Sequence, residues 1–249
     1  MSDLDLGLIG NCCISALIDR EARIVWSCFP RFDADPLFHQ LLGGPTGDDA
    51  DGAFTIELKG LTASSHSYVP NTAILRTVLE APGGSVEIID FAPRFHWRGR
   101  PFRPQSLVRR IRPLSGSPQI RLRIRPRFEY GAKPAQVDFG SNHIRYSCDG
   151  TSVRLTTDAP IDYVIGETEF ILDEEVNCIL GPDETLSEGI AQTAHNFQER
   201  TEGYWRGWSH RLALPLDWQD AVIRAAITLK LCSYEPTGAV VAAMTTSIP

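Results

Sequence analysis

Nowhere in the 249 residues does an apolar run approach the roughly 18 needed to cross a bilayer. The opening segment, Met1-Ser2-Asp3-Leu4-Asp5, is acidic and lacks the basic-then-apolar pattern of a secretory signal. No membrane partner is expected, and the sequence predicts a cytoplasmic protein. Cysteine is sparse and unpatterned. The six residues Cys12, Cys13, Cys28, Cys148, Cys178 and Cys232 form no C-x-x-C pair, and no Cys/His cluster has zinc-finger spacing. They read as reduced thiols in the core, and neither a metal nor a cofactor is expected. No G-x-S-x-G occurs and the six histidines are scattered, which excludes a serine-nucleophile hydrolase. Asp48-Asp49-x-Asp51-Gly52 faintly resembles a calcium loop but lacks the glutamate of loop position twelve, near which Lys59 stands.

What is present has the profile of a globular protein: 43% hydrophobic, 22% charged and 9% aromatic residues, with a net charge of −7. Disorder, collagen and coiled coil are excluded on those grounds, and the length fits one or two domains. The charge is unevenly spread. Arg94 through Arg127 hold eleven arginines and no acidic residue, whereas eighteen acidic residues follow from Phe128 onward. A basic block can mark a nucleic-acid surface, but binding a polyanion by counterion release needs a net basic surface. Moreover, the arginines of Ile120-Arg121-Leu122-Arg123-Ile124-Arg125 alternate strictly with aliphatics. That period predicts a half-buried strand with Ile120, Leu122 and Ile124 inward and the arginines outward, paired with carboxylates of other strands. Val108-Arg109-Arg110-Ile111-Arg112 reads as a neighbouring strand. No nucleic-acid partner is expected; contact with another domain is the other role open to these arginines.

Short β-like runs fill the chain to about Leu180, among them Cys13–Ile18, Arg23–Cys28, Phe54–Leu58, Ala73–Leu79, Val86–Phe91, Tyr163–Ile165 and Val176–Leu180. Turn chemistry at Pro82-Gly83-Gly84, Ser115-Gly116-Ser117-Pro118 and Asp149-Gly150 separates them. The absence of helical patterns between them predicts a mainly β fold, a large antiparallel β-sandwich (supersandwich) over residues 1–183. The period then changes. Thr185-Leu186-Ser187-Glu188 reads as a capping box, and Ile190, Ala194, Phe197, Thr201, Tyr204 and Trp208 fall on one helix face, a helical linker over 184–213. Trp205 and Trp208 suit either burial of that helix or a sugar-stacking platform. A second helix is expected from Asp217, as N-cap before Trp218, to about Tyr234. Its apolar positions exceed the ~100° stripe of a surface helix, and Thr237–Pro249 can cover little of it. Residues 214–249 therefore read as the beginning of a helical domain. The apolar surface of Val222–Leu231 is expected to pack back on the sandwich or to pair with another copy, which makes a homo-oligomer possible.

Particular residues carry a resemblance. Ile9-Gly10-Asn11-Cys12, Ile24-Val25-Trp26-Ser27-Cys28-Phe29-Pro30-Arg31-Phe32-Asp33, Ile89-Asp90-Phe91-Ala92-Pro93-Arg94 and Pro126-Arg127-Phe128-Glu129-Tyr130-Gly131 are similar to landmarks of bacterial glycoside hydrolase family 15 proteins, the glucoamylase-like and trehalase-like enzymes. Val222–Leu231 followed by Tyr234-Glu235-Pro236-Thr237-Gly238 and Ala242-Ala243-Met244-Thr245-Thr246-Ser247-Ile248-Pro249 resembles the first helix and following loop of that family's (α/α)6 catalytic barrel. The departures are Asn11 where the family often has Asp, Ser27 where an apolar residue is usual, and Met244 where proline is expected. The resemblance implies an amino-terminal sandwich, a helical linker and the start of the barrel. It also implies that both catalytic glutamates lie downstream of the Thr-Thr-Ser-x-Pro loop, so that no residue here is catalytic. Asp173-Glu174-Glu175 and Asp183-Glu184 read as solvated turns rather than an acid/base pair.

The expected role is non-catalytic: to pack on the protein's own carboxy-terminal catalytic barrel and shape its mouth, meeting an α-glucoside substrate only indirectly. The candidates for barrel or substrate contact are Trp26, Phe29, Arg31, Phe32 and Asp33, an aromatic set with a polar pair. A core role for Trp26 and Phe29, with Arg31 paired to Asp33, fits the same residues. The alternative function is a free-standing carbohydrate-binding module that uses Phe95, Trp97 and Phe102 as its platform.

Overall fold

Alternating patterns in the sequence become two antiparallel sheets. The computed structural model describes residues 5–43 and 51–245; Asp48 and Asp49 of the calcium-loop pattern and the final Thr246–Pro249 lie outside them. One sheet has seven strands, in the order Gly7–Gly10, Ser15–Ile18, Ile24–Cys28, Ala53–Leu58, Gln119–Arg125 and Phe170–Ile171, with Pro36–Phe38 added to Ile24–Cys28. The other has eight, in the order Gln136–Phe139, His143–Cys148, Thr151–Thr157, Val176–Gly181, Leu107–Gly116, Gly84–Phe91, Leu75–Ala81 and Ala63–Tyr68. Their facing aliphatics form one core: Ile18, Ile24, Ile56 and Leu122 from the first sheet meet Leu79, Ile88, Ile111 and Leu155 from the second. The protein is mainly β, and the face-to-face packing fits the sandwich expectation.

Ile120, Leu122 and Ile124 point inward as the alternation requires. The arginines between them pair across the outer face: Arg121 with Glu57, Arg123 with Glu57 and Glu167, and Arg125 with Glu167. The other arginine strand corrects its expected placement twice. The chain crosses between sheets at Ser115–Pro118, so Leu107–Gly116 lies in the eight-stranded sheet rather than beside Gln119–Arg125. Arg109, in phase with Leu107 and Ile111, faces inward and is fully buried. Its cross-strand partner is Asp90, with Nε donating at 2.7 Å and Nη2 at 3.1 Å to the two carboxylate oxygens. Nη1 donates to the Phe54 carbonyl at 2.9 Å and Nη2 to that of Ala22, so one guanidinium ties the two sheets together.

Among the described residues three α-helices accompany the sheets: α1 (Ile161–Ile165), α2 (Ile190–Ser209) and α3 (Gln219–Leu231). No described helix is long and apolar enough to cross a membrane. α1 replaces the strand expected at Tyr163–Ile165. Pro160 presets the backbone at the helix start, and Ile161 and Val164, three apart, both reach the core. α2 covers the outer face of the eight-stranded sheet, where Ala194, Ile190 and Phe197 meet Ile74, Ile89, Phe91, Val108 and Ile179. That second covered face explains why Gly84–Phe91 is buried at nearly every position, Glu87 and Asp90 included, rather than at alternate ones. The capping box does not form: Gly189 is the N-cap, without a side-chain cap, while Leu186 packs into the apolar cluster under the helix. The buried side also includes Trp205, which is sealed, while Trp208 stays half-buried. α3 starts one residue later than expected. Trp218 occupies the N-cap in a left-handed conformation (φ 64°), with no side-chain cap from Asp217, and the helix ends at Leu231, short of Tyr234.

Candidate functional site

Two distant parts of the sequence meet where α3 and the segment after it lie on the sandwich. Ile223, Ile227 and Leu231, spaced by four, form the buried stripe of α3 and pack with Phe32, Ala73 and Trp205. Gly10 makes room for the end of this stripe: a β-carbon there would come within 3.4 Å of Leu231 Cδ2 and 2.9 Å of the Ile14 carbonyl oxygen. Beyond α3 a short hairpin pairs Ser233–Tyr234 with Ala239–Val240. α3 thus packs back on the sandwich, one of the two fates expected for it.

The five residues singled out in the sequence divide here. Trp26 is buried, and its indole Nε1 donates to the Met244 carbonyl at 3.0 Å. Phe32 is buried edge-on to Tyr234, with ring centroids 5.3 Å apart. Arg31 and Asp33 are exposed and paired, with Nε to Oδ1 at 2.9 Å and Nη2 to Oδ2 at 3.0 Å. The Arg31 guanidinium also lies 5.5 Å from the centroid of the Tyr234 ring. Phe29 belongs elsewhere: it packs on the sandwich core and borders a different pocket with Pro36 and Phe128. Four of the five therefore sit together around the carboxy-terminal segment, and the fifth does not.

At the centre of the junction is a charged cluster that local patterning did not reveal. Arg94, almost fully buried, donates from Nη1 to the Asn11 carbonyl at 2.6 Å and from Nη2 to Glu235. Its guanidinium stacks 4.7 Å from the Tyr204 ring centroid of α2. Lys230 Nζ reaches Glu235 at 2.5 Å, and Arg103 Nε lies 3.5 Å from its other oxygen. One carboxylate after α3 thus gathers cations from the sandwich and from α3 itself. Burial pushes the Glu235 carboxyl up, but Lys230 and Arg94 outweigh it and hold the group below its ordinary value of 4.5. Beside it, burial pushes the Cys12 thiol up to about 11, and that thiol donates to the Lys230 carbonyl at 3.1 Å.

The departures from the family pattern acquire partners here. Asn11 Nδ2 donates to the carbonyls of Pro93 at 3.0 Å and Pro104 at 2.7 Å. Its Oδ1 accepts the Cys13 and Ile14 amides at 3.1 Å each. A carboxylate could keep the second pair of bonds but not the first, so the amide suits this site. Ser27 Oγ donates to the Ser15 carbonyl at 2.8 Å, satisfied within the sheet. The acidic clusters are in part counterions rather than free acids: Glu175 pairs with Arg110, and Asp183 with Arg145 and Arg154. None of the six cysteines forms a disulfide.

A pH effect follows for the junction. A carboxyl whose folded pKa is depressed stabilises the folded state above its unfolded value and loses that contribution as pH falls through the folded one. Protection of the Ser233–Val241 amides, measured relative to their intrinsic exchange rate at each pH, is therefore expected to be greatest above the ordinary glutamate value of 4.5 and to fall below it. Glu235→Gln should flatten this dependence; an unchanged profile would remove Glu235 from the account.

Comparison with known proteins gives one consistent result. Residues 5–170 match the family described as trehalase-like, N-terminal. The chain is 30% identical to trehalase 1 of Sulfolobus acidocaldarius, in an alignment covering 98% of this chain and 40% of the relative. It is 25% identical to the trehalase of Mycolicibacterium smegmatis, with 98% and 40% covered, and 25% identical to that of Thermoplasma volcanium, with 98% and 39% covered. The chain thus spans about 40% of the length of the curated relatives it matches.

Proposed function

The chain belongs to the trehalase-like N-terminal family, and from that membership we propose that it is the non-catalytic amino-terminal part of a glycoside hydrolase of the family 15 kind. The whole enzyme in this reading hydrolyses α-glucosidic bonds of trehalose or α-glucans with inversion. Inversion requires an acid to protonate the leaving oxygen and a carboxylate to activate water, the two held about 6.5–9.5 Å apart. Both groups are assigned to an (α/α)6 barrel that continues beyond this chain, of which residues 214–249 are the first helix and loop. Residues 1–183 form the supporting sandwich and 184–213 the helical linker. The uncoupled thiols suit a reducing, cytoplasmic setting.

The observation that carries this reading is the two-sidedness of α3 and its flanks. One side is fastened to the sandwich through Phe32, Trp26 and the Arg94–Glu235 cluster. The other leaves Leu229 exposed, with Leu216 95% and Trp218 82% exposed just before the helix. Large apolar side chains left this exposed suit a surface that another part of the protein covers. Trp26 and Phe32 are proposed to hold the barrel's first loop, while Arg31 and Asp33 stand at its rim towards the mouth.

Two results test the proposal. The purified chain, shown by circular dichroism to be folded, is expected to release no glucose from trehalose, maltose, maltotetraose or isomaltose. Release above a mock-purified control would place a site within these residues and refute the accessory role. In the whole enzyme, Arg31→Ala is expected to lower activity or loosen docking; unchanged kinetics and melting would remove the rim role.

A further inference from the structure

The rings of the hairpin formed by Phe95–Trp97 and Arg100–Phe102 are engaged within their own protein. Phe95 and Phe102 stack on each other and on Phe197 of α2, and the Arg200 guanidinium lies 4.2 Å from the Trp97 ring centroid. The two margins of the sandwich, in contrast, are finished differently. One is clasped by Tyr68, on the last strand of the eight-stranded sheet. Its hydroxyl accepts the Leu8 amide at 2.7 Å and donates to the Leu8 carbonyl at 3.0 Å, on the first strand of the other sheet. The opposite margin therefore holds the remaining end strands, Gln136–Phe139 and Phe170–Ile171. Gln136–Phe139 is exposed at every position, Phe139 by 61% and Val137 by 50%. These two stand across from Ile144 and Tyr146, which belong to the buried core. The apolar layer between the sheets thus runs out to this margin and ends there in solvent. Ile171, on the other end strand, is exposed as well.

The backbone of Gln136–Phe139 is half used. The Gly140 amide donates to the His143 carbonyl at 2.9 Å, and in an antiparallel pair the hydrogen-bonded positions alternate. Counting back in twos, Asp138 and Gln136 bond to His143–Cys148 through their partners Arg145 and Ser147. The N–H and C=O groups of Val137 and Phe139 point the other way, off the end of the sheet. Such an edge is a template for a further strand, and lysine, proline or a bulge is the usual means of blunting it. Lys133 and Pro134 precede this strand, but neither residue type occurs within it, and its register with His143–Cys148 has no bulge.

Its side chains select the occupant. Laid antiparallel to itself about a two-fold axis through Val137, the strand sets Val137 against Val137 of the second copy, and the free backbone groups of the two meet. The same register sets Gln136 against Asp138 and Phe139 against Ala135. On one face an amide then meets a carboxylate, and on the other apolar groups meet only apolar groups. An axis through Asp138 would oppose two carboxylates and bring together backbone groups already bonded within the sheet. The slip by one residue is thereby excluded on both counts.

We propose that two copies of this chain join edge to edge through Gln136–Phe139, so that the eight-stranded sheet continues across a molecular two-fold axis. The interface is separate from α3 and its flanks, and it needs no catalytic region. Sedimentation equilibrium of the 249-residue chain over a wide range of concentration is the test, and monomer giving way to dimer is expected. Val137→Lys sets two ammonium groups face to face at the axis, and Phe139→Lys puts a charge in its apolar layer. Each is expected to weaken the dimer at least about tenfold. Both side chains are exposed in one copy, so melting of the dilute variants should match the parent and establish that they fold. Hydrogen exchange reads the register: the Val137 and Phe139 amides should gain protection as the dimer forms, and the Asp138 amide should change little. A chain that stays monomeric at every concentration overturns the proposal and leaves the edge to another occupant, such as the carboxy-terminal part of the protein. A dimer indifferent to both lysine variants, or one that leaves the Val137 amide unprotected, overturns it too, because the copies then meet elsewhere.

Discussion

Replacing Asp90 with alanine is expected to destabilise the sandwich by about 3–5 kcal/mol, because it leaves the Arg109 guanidinium buried with no counter-charge. That is a large fraction of the roughly 5–15 kcal/mol that holds a typical domain folded. Urea denaturation measures it. The double replacement Asp90→Leu with Arg109→Met removes both charges at once and should recover much of the loss. Recovery will be partial, because the carbonyls of Phe54 and Ala22 lose the donor that Arg109 gives them. If the single variant unfolds within 1 kcal/mol of the parent, to use about the size of a surface effect, the guanidinium has found water and the sheets are not joined through it.

Arg94→Ala is expected to act locally rather than globally. The side chain holds the Asn11 carbonyl, the Glu235 carboxylate and the Tyr204 ring, and Glu235 keeps Lys230 after the change. No buried charge is orphaned, so the loss is that of charged hydrogen bonds and a desolvated cation–π contact, about 3 kcal/mol together. The effect should appear as hydrogen exchange about a hundredfold faster across Ser233–Val241, with little change in the strands Ile24–Cys28 and Gly84–Phe91. Faster exchange in all three segments would mean that the junction and the sandwich unfold as one unit. An effect below tenfold at the junction would show that its apolar contacts alone hold it.

How much of this was legible in advance depended on the range of the interaction. Ile120–Arg125 declared its face because a period of two is a local property, and α2 declared itself because a period of about four is also local. Arg109 could have been placed by the same rule. It is in phase with Leu107 and Ile111, as Asp90 is with Ile88, but charge argued for solvent, and the compensating charge lay on another strand. Trp205 was hard to rank above Trp208, because adjacent steps on a helix differ little until a partner surface is fixed. The Arg94–Glu235 contact spans 141 residues and has no periodic signature. Its two ends were visible only as pieces of a family resemblance, with nothing in either to say that they touch. Of the singled-out segment, the clustering of Trp26, Arg31, Phe32 and Asp33 follows from their nearness in sequence. Phe29 turned to a different neighbour, a matter of tertiary direction that spacing does not carry.

The fastening of α3 to the sandwich also has a consequence for biosynthesis. Phe32 and the Tyr234 ring against which it packs are separated by about 200 residues. At translation speeds of about 5–20 residues per second, the first waits roughly 10–40 s for the second to be made. During that interval the patch of Leu8, Phe32 and Ala73 has no cover from α3, and the Trp26 indole has no Met244 carbonyl to meet. Only over the last part of that interval, the roughly 3–10 s between Gly181 and Tyr234, does the nascent chain show a nearly finished sandwich with this patch still open. A ribosome-bound chaperone that prefers apolar surface would find that patch there, and a pause in translation after α2 would prolong its exposure.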